Sequence, residues 1–144
     1  MTYDPAMSHF DLDSERGTQG ELFVENVRAA LAKRTSNIEV KTDAHVMKKN
    51  GPDRFYVEYE CRGRDGNWRD SGIMTTKAGL WFFVFGKHPA GLVVETSWLR
   101  KAFDLAKQDK RNHASMDYGE NPTKGILVYT NHLRLTRDEA FDEH

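Results

Sequence analysis

An α/β fold is predicted for this chain by three observations. Between Thr18 and Arg34, Leu22, Phe23, Val27, Ala30 and Leu31 recur at the spacing of an amphipathic helix, and Leu99, Phe103 and Ala106 repeat the pattern further on. Ile38 to Asp43 and Phe55 to Cys61 instead alternate with a period of two, which predicts strands. Trp81-Phe82-Phe83-Val84-Phe85 is apolar throughout, which predicts a central strand covered on both faces.

The 144 residues suit one domain with a real core. A loose arm is expected over 1–17, a single domain over 18–135 and an acidic tail over 136–144. With 38% hydrophobic residues, 30% charged and a formal net charge of -1, the composition is that of an ordinary water-soluble protein. No apolar run approaches 18 residues, so no membrane span is expected. The first residues, Met1 to Pro5, lack the basic and apolar regions of a signal peptide, and the single cysteine, Cys61, has no partner for an internal disulfide. Both set the expectation of a cytoplasmic protein. Near-neutral charge argues against coating nucleic acid non-specifically, so any contact with DNA would be local.

Taken in order, Thr18 with Glu21 three residues on forms a capping box for the first helix. Thr35 to Asn37 turns the chain into the Ile38 strand, whose apolar row, Ile38, Val40 and Thr42, is expected to face the core. Glu39, Lys41 and Asp43 form its other row. Asn50-Gly51 is a hairpin signal, so this strand is expected to pair with Phe55 to Cys61, placing Glu60 across from Lys41 and Glu58 across from Asp43. Even if the register slips, both apolar rows must face one core, which puts Glu39, Lys41, Glu58 and Glu60 on one side. Such a cluster suits either a solvated, ion-paired hairpin face or a cation site. In the second case carboxylates hold a hard divalent ion and a neighbouring lysine orients an attacking water, the chemistry of phosphodiester hydrolysis.

Residues 62 to 72 read as a loop in which Arg62 and Arg64 could pair with phosphate and Trp68 could stack on a base. A short helix is expected from Ile73 to Leu80, carrying Lys77 as a candidate phosphate contact. The aromatic strand then turns at Gly86 to Gly91 and returns as Leu92 to Glu95. A helix capped by Thr96 or Ser97 runs to about Gln108, Asp109 to Lys124 reads as a long loop, and Gly125 to Thr130 as the last strand.

In residues, Gly20-Glu21, Ile38-Glu39-Val40-Lys41, the Glu58 strand and Ser71 to Phe85 together resemble the PD-(D/E)xK nuclease superfamily, especially small Holliday-junction-resolvase-like and phage-encoded members. The resemblance covers roughly residues 18 to 130 as an order of elements. It implies a restriction-endonuclease-like core, a mixed central sheet flanked by helices, a Mg²⁺ or Mn²⁺ site, and cleavage of DNA; separately from the resemblance, a homodimer is left open as a partner. Glu39 and Lys41 match the signature strand, Glu21 matches the helix glutamate, and Glu39, Glu58 and Glu60 are the implied metal ligands. One departure stands out: the family usually supplies an aspartate from an earlier strand, and Arg34 to Asn37 leaves no room for one. Either Glu58 or Glu60 replaces it, or Glu39 takes its place and Glu58 with Glu60 forms the signature pair. An inactive descendant, a phage accessory module that binds nucleic acid or a host protein, is the alternative.

Overall fold

The computed structural model describes residues 18, 20–25, 27, 29, 37–43, 53–86, 90–117 and 121–137. The expected arm, the Asn50-Gly51 turn and the tail from 138 onward lie outside these. The chain divides into two compact units, Met1–Thr35 and Ser36–His144. In the first, every described residue from 18 to 29 is helical, as its spacing predicts, with Phe23 and Val27 half-buried and Leu22 exposed.

The second unit holds seven strands among the described residues: β1 (Ile38–Thr42), β2 (Arg54–Arg62), β3 (Trp68–Asp70), β4 (Leu80–Val84), β5 (Gly91–Glu95), β6 (His113–Met116) and β7 (Thr123–Tyr129). Two helices accompany them, α1 (Thr96–Lys107) and α2 (Thr130–Leu135). The strands form two sheets, β1-β4-β5 and β3-β2-β7-β6. The first is mixed, with β1 parallel and β5 antiparallel to β4, and the second is antiparallel throughout. The fold is thus α/β, with its strands shared between two sheets.

The core forms where the sheets and α1 meet. Trp81, Phe83, Phe55, Val57, Ile126, Val128 and Leu99 are fully buried. Phe83 of the first sheet meets Phe55 of the second with ring centroids 4.6 Å apart. Each such ring contributes about 1.5–3 kcal/mol by leaving water. From α1, Leu99, Ala102, Phe103 and Ala106 pack against this layer, the stripe its spacing predicts. Trp98 at its edge donates its indole N–H to the Leu133 carbonyl at 2.9 Å, tying α2 to α1.

Four sequence expectations are corrected here. The β1–β2 hairpin does not form. As the central strand of its sheet β4 has two hydrogen-bonding edges to fill, and β5 takes one while β1 takes the other. β2, nine residues long, is instead laddered between β3 and β7. The segment Ile73 to Leu80 is a 3₁₀ turn, Gly72–Met74, followed by irregular chain. There Thr76 Oγ1 accepts from the Ala78 N–H at 3.2 Å, a local bond that competes with a helix. The supposed long loop contains β6, whose His-Ala-Ser-Met offers no β-branched or aromatic signal and pairs only because β7 presents an edge. Residues Thr130–Leu135, read as leading into a tail, form α2. It is too short to be stable alone and is held by buried Leu133 and by the Trp98 bond. Among the described residues no helix is long and apolar enough to cross a membrane.

Candidate functional site

β1 is built with the opposite parity to the one its hydrophobicity predicts. In the parallel register Glu39 lies beside Trp81 and Lys41 beside Phe83, both core residues, so the charged row turns toward the protein. Lys41 Nζ sits 5.8 Å from the centre of the Trp81 ring. Val40, expected inside, is 56% exposed. Partly burying charges costs free energy unless they are paired, and Lys41 Nζ meets Glu39 Oε1 at 2.9 Å. At the end of the strand Asp43 Oδ2 accepts the Tyr56 N–H at 3.2 Å, which fastens β1 to β2 across the two sheets.

On β2 the expected sharing of one face by Glu58 and Glu60 is broken by a bulge. Glu58 lies opposite Gly125 of β7 and Glu60 opposite Lys124, so Tyr59 is an extra residue between them. Neighbouring residues of β7 point to opposite faces, and the two glutamates follow them. Behind the bulge the Ser71 N–H donates to the Tyr59 carbonyl at 2.9 Å. Gly72 follows with φ +54°, and a Cβ there would lie 2.2 Å from the Glu58 carbonyl oxygen. Only glycine fits so close to the bulged backbone.

Glu58 therefore opens into a cavity of about 250 Å³, lined by Lys41, Tyr56, Glu58, Met116, Asn121 and Thr123. The Tyr56 ring lies over Gly125, where a Cβ would come within 2.4 Å of it. Its hydroxyl is hydrogen-bonded to Thr123 Oγ1 at 2.8 Å. Burial pushes the phenol above its ordinary value, so it stays a neutral hydroxyl. One ammonium, one carboxylate, one amide and two hydroxyls thus line a small, mostly apolar recess.

Glu60 goes elsewhere. It pairs with Lys124 Nζ at 3.3 Å, and that ammonium lies 4.1 Å from the centre of the Trp68 ring, with Arg62 at 6.0 Å. Trp68, read as a loop residue, begins β3, a three-residue edge strand exposed along its length. Arg64, in the β2–β3 turn, is exposed; beside it Arg69 is ion-paired with Asp65. Lys77 is exposed between the 3₁₀ turn and β4 and does not line the cavity. Glu21 belongs to the first unit, exposed on its helical segment.

The structure thus brings Lys41 and Glu58 to one cavity, keeps Glu39 on Lys41, and separates Glu60 from both. Among the described residues no group of three or more His, Cys, Asp or Glu is placed to hold a metal ion. Mg²⁺ is commonly held by one or two carboxylates plus substrate phosphate and water, and Glu58 is the hard carboxylate donor that lines this cavity. Of the cavity residues, Tyr56, Asn121, Thr123 and Met116 were not singled out by sequence. Asp43, which the sequence placed in the charged row with Glu39 and Lys41, instead binds the Tyr56 N–H and does not line the cavity. No protein-family model, no curated protein and no solved structure matches the chain.

Proposed function

We propose that this chain is a metal-dependent endonuclease that hydrolyses DNA phosphodiester bonds, on a restriction-endonuclease-like core of the PD-(D/E)xK kind. The observation that carries the reading is the meeting of Lys41 from β1 and Glu58 from β2, strands of different sheets, in one cavity. The half-buried charged row of β1 supports it. A strand that turns Glu39 and Lys41 inward and leaves Val40 in water breaks the ordinary pattern, and such violations concentrate where a site needs them.

In this reading Glu58 takes the place of the signature-strand acid, and Asp43 ties the end of β1 to β2 through the Tyr56 N–H. Glu58, with substrate phosphate and water, would hold Mg²⁺ or Mn²⁺, which when bound supplies Lewis-acid stabilisation of the phosphoryl charge and a lowered pKa for water. Lys41 orients the attacking water and neutralises developing negative charge on the phosphate. Glu39 holds the Lys41 ammonium in place when substrate is absent. Tyr56, kept neutral, donates or accepts a hydrogen bond without adding charge.

Supercoiled plasmid incubated with Mg²⁺ or Mn²⁺ provides the test. Glu58→Gln and Lys41→Met are each expected to lower nicking by a factor on the order of 10²–10⁴. Equal nicking by wild type and variants, or none by the wild type on linear, supercoiled or branched DNA, removes the enzyme claim.

A second reading, a nuclease-fold module that binds without cutting, is favoured by the placement of Glu60 on Lys124, which leaves Glu58 as the only carboxylate among the described residues lining the cavity. Titration calorimetry separates the two. Mn²⁺ binding that Glu58→Gln abolishes belongs to the enzyme, and absence of Mn²⁺ binding belongs to the module.

A further inference from the structure

We infer that the β2–β3 hairpin, on the far side of the bulge from Glu58, is a second binding surface that takes an unpaired nucleic-acid strand, with Trp68 stacking on a base and Lys124 and Arg62 holding its phosphates. The inference goes beyond the cleavage reading and does not need it. Its starting point is the place of Trp68. This ring lies outside the hydrophobic core, on an edge strand with no buried residue, and remains 39% exposed. Its neighbours are cations: Lys124 Nζ at 4.1 Å and Arg62 Cζ at 6.0 Å from the ring centre. A cation near an exposed aromatic ring contributes only about 0.5–1 kcal/mol, a modest return for leaving a tryptophan in water.

The geometry is that of a stack already assembled. Glu60, turned to this side by the bulge, holds Lys124 at 3.3 Å, and Lys124 covers the indole. A phosphate arriving here competes with a carboxylate for the same ammonium, and a base competes with the ammonium for the same ring. The first exchange replaces one oxyanion by another and the second covers the indole with a flat ring in place of the ammonium, which suits a ligand that carries anions and flat aromatic faces on one chain. An unpaired strand fits better than a duplex for two reasons. A base can lie on a side chain only when it is free of its own stack. The cations of the hairpin, Arg62, Arg64 and Arg69, with Lys124 of the neighbouring β7, are also offset by Glu60, Asp65 and Asp70, and the chain as a whole carries -1, too little positive charge for a duplex-coating surface.

Fluorescence anisotropy of a labelled oligothymidylate, titrated in EDTA with full-length protein in a Glu58→Gln background, reads binding without cleavage. Trp68→Ala is expected to weaken binding roughly tenfold or more, from the stacking of one base. Trp68→Phe keeps a ring and is expected to retain most of the affinity, which shows that a loss in Trp68→Ala is not misfolding. Glu60→Gln frees Lys124 from its competitor and is expected to tighten binding and steepen its salt dependence; a metal-ligand role for Glu60 predicts no effect in EDTA. An oligouridylate arm distinguishes DNA from RNA as the strand held, and a duplex of equal length should bind more weakly and ignore Trp68. Absence of oligonucleotide binding, equal binding by Trp68→Ala, or a duplex preference overturns the inference. If plasmid nicking fails while this pattern holds, only the nuclease reading falls; if nicking holds while this pattern fails, only the hairpin surface falls.

Discussion

β1 and β4 lie side by side in the same sheet, in parallel register over five residues, and are built on opposite terms. β4 is apolar at every position and sits at the centre of its sheet, with Leu80, Trp81 and Phe83 buried. β1 has one apolar and one charged row, and the charged row faces in while Val40 stays in water. The difference separates two tasks. β4 supplies burial, and β1 uses the platform β4 provides to hold an ammonium at the rim of a cavity. If that division is right, changes in β4 act on stability and changes in β1 act on chemistry.

The largest effect is expected at Phe83. Its ring is fully buried against Phe55 and 5.9 Å from Trp81, so Phe83→Ala removes both the transfer gain and the packing between sheets. A loss of about 3–5 kcal/mol in urea unfolding is expected. A loss under about 1 kcal/mol would show that the two sheets are not packed through this ring. Next comes Thr96, at the junction of β5 and α1, buried and donating its hydroxyl to the Ala78 carbonyl at 2.6 Å just before β4 begins. Thr96→Val keeps the volume and leaves that carbonyl unpaired, at an expected cost of about 1–2 kcal/mol in the same measurement. Plasmid nicking should survive both substitutions at temperatures where the variants stay folded.

How far the sequence revealed this division follows from the same residues. β4, β5 and α1 were legible because each has a pattern with one solution: an unbroken apolar run, a turn and return, and a helical stripe ending in Ala106. β1 was not, because strict alternation permits two parities, and hydrophobicity alone selects the one that buries Val40. Its partner was misread since Asn50-Gly51 is a strong local signal, while the pairing with β4 joins segments some forty residues apart in sequence and has no local mark. The bulge was invisible for a related reason. Glu58-Tyr59-Glu60 looks like regular alternation, and only Gly72, seated against the Glu58 carbonyl, shows that one residue is extra. Lys41 and Glu58 were picked out by charge type; Asn121 and Thr123, which complete the cavity, carry no spacing by which to find them.

Lys41 itself sharpens the comparison by reversing a sign. Its side chain is 36% exposed and paired with Glu39, a half-exposed ion pair worth little to folding. Lys41→Met places an apolar chain of similar length over Trp81 and is expected to leave stability unchanged or raise it by up to about 1 kcal/mol. Nicking should nevertheless be lost. A stability loss beyond about 2 kcal/mol would mean that the inward charge is structural, and the division between the two strands would fail.

The smallest effect is expected on the other face of β1. Val40→Thr exchanges a methyl for a hydroxyl at a site 56% exposed, keeps the β-branched shape a strand favours, and should alter stability by no more than about 0.5 kcal/mol. Because the same change in a core strand buries an unpaired hydroxyl, this small number decides which row of β1 faces in. A cost above about 1.5 kcal/mol in urea unfolding would place Val40 inside, return Glu39 and Lys41 to solvent, and take the ammonium away from Glu58.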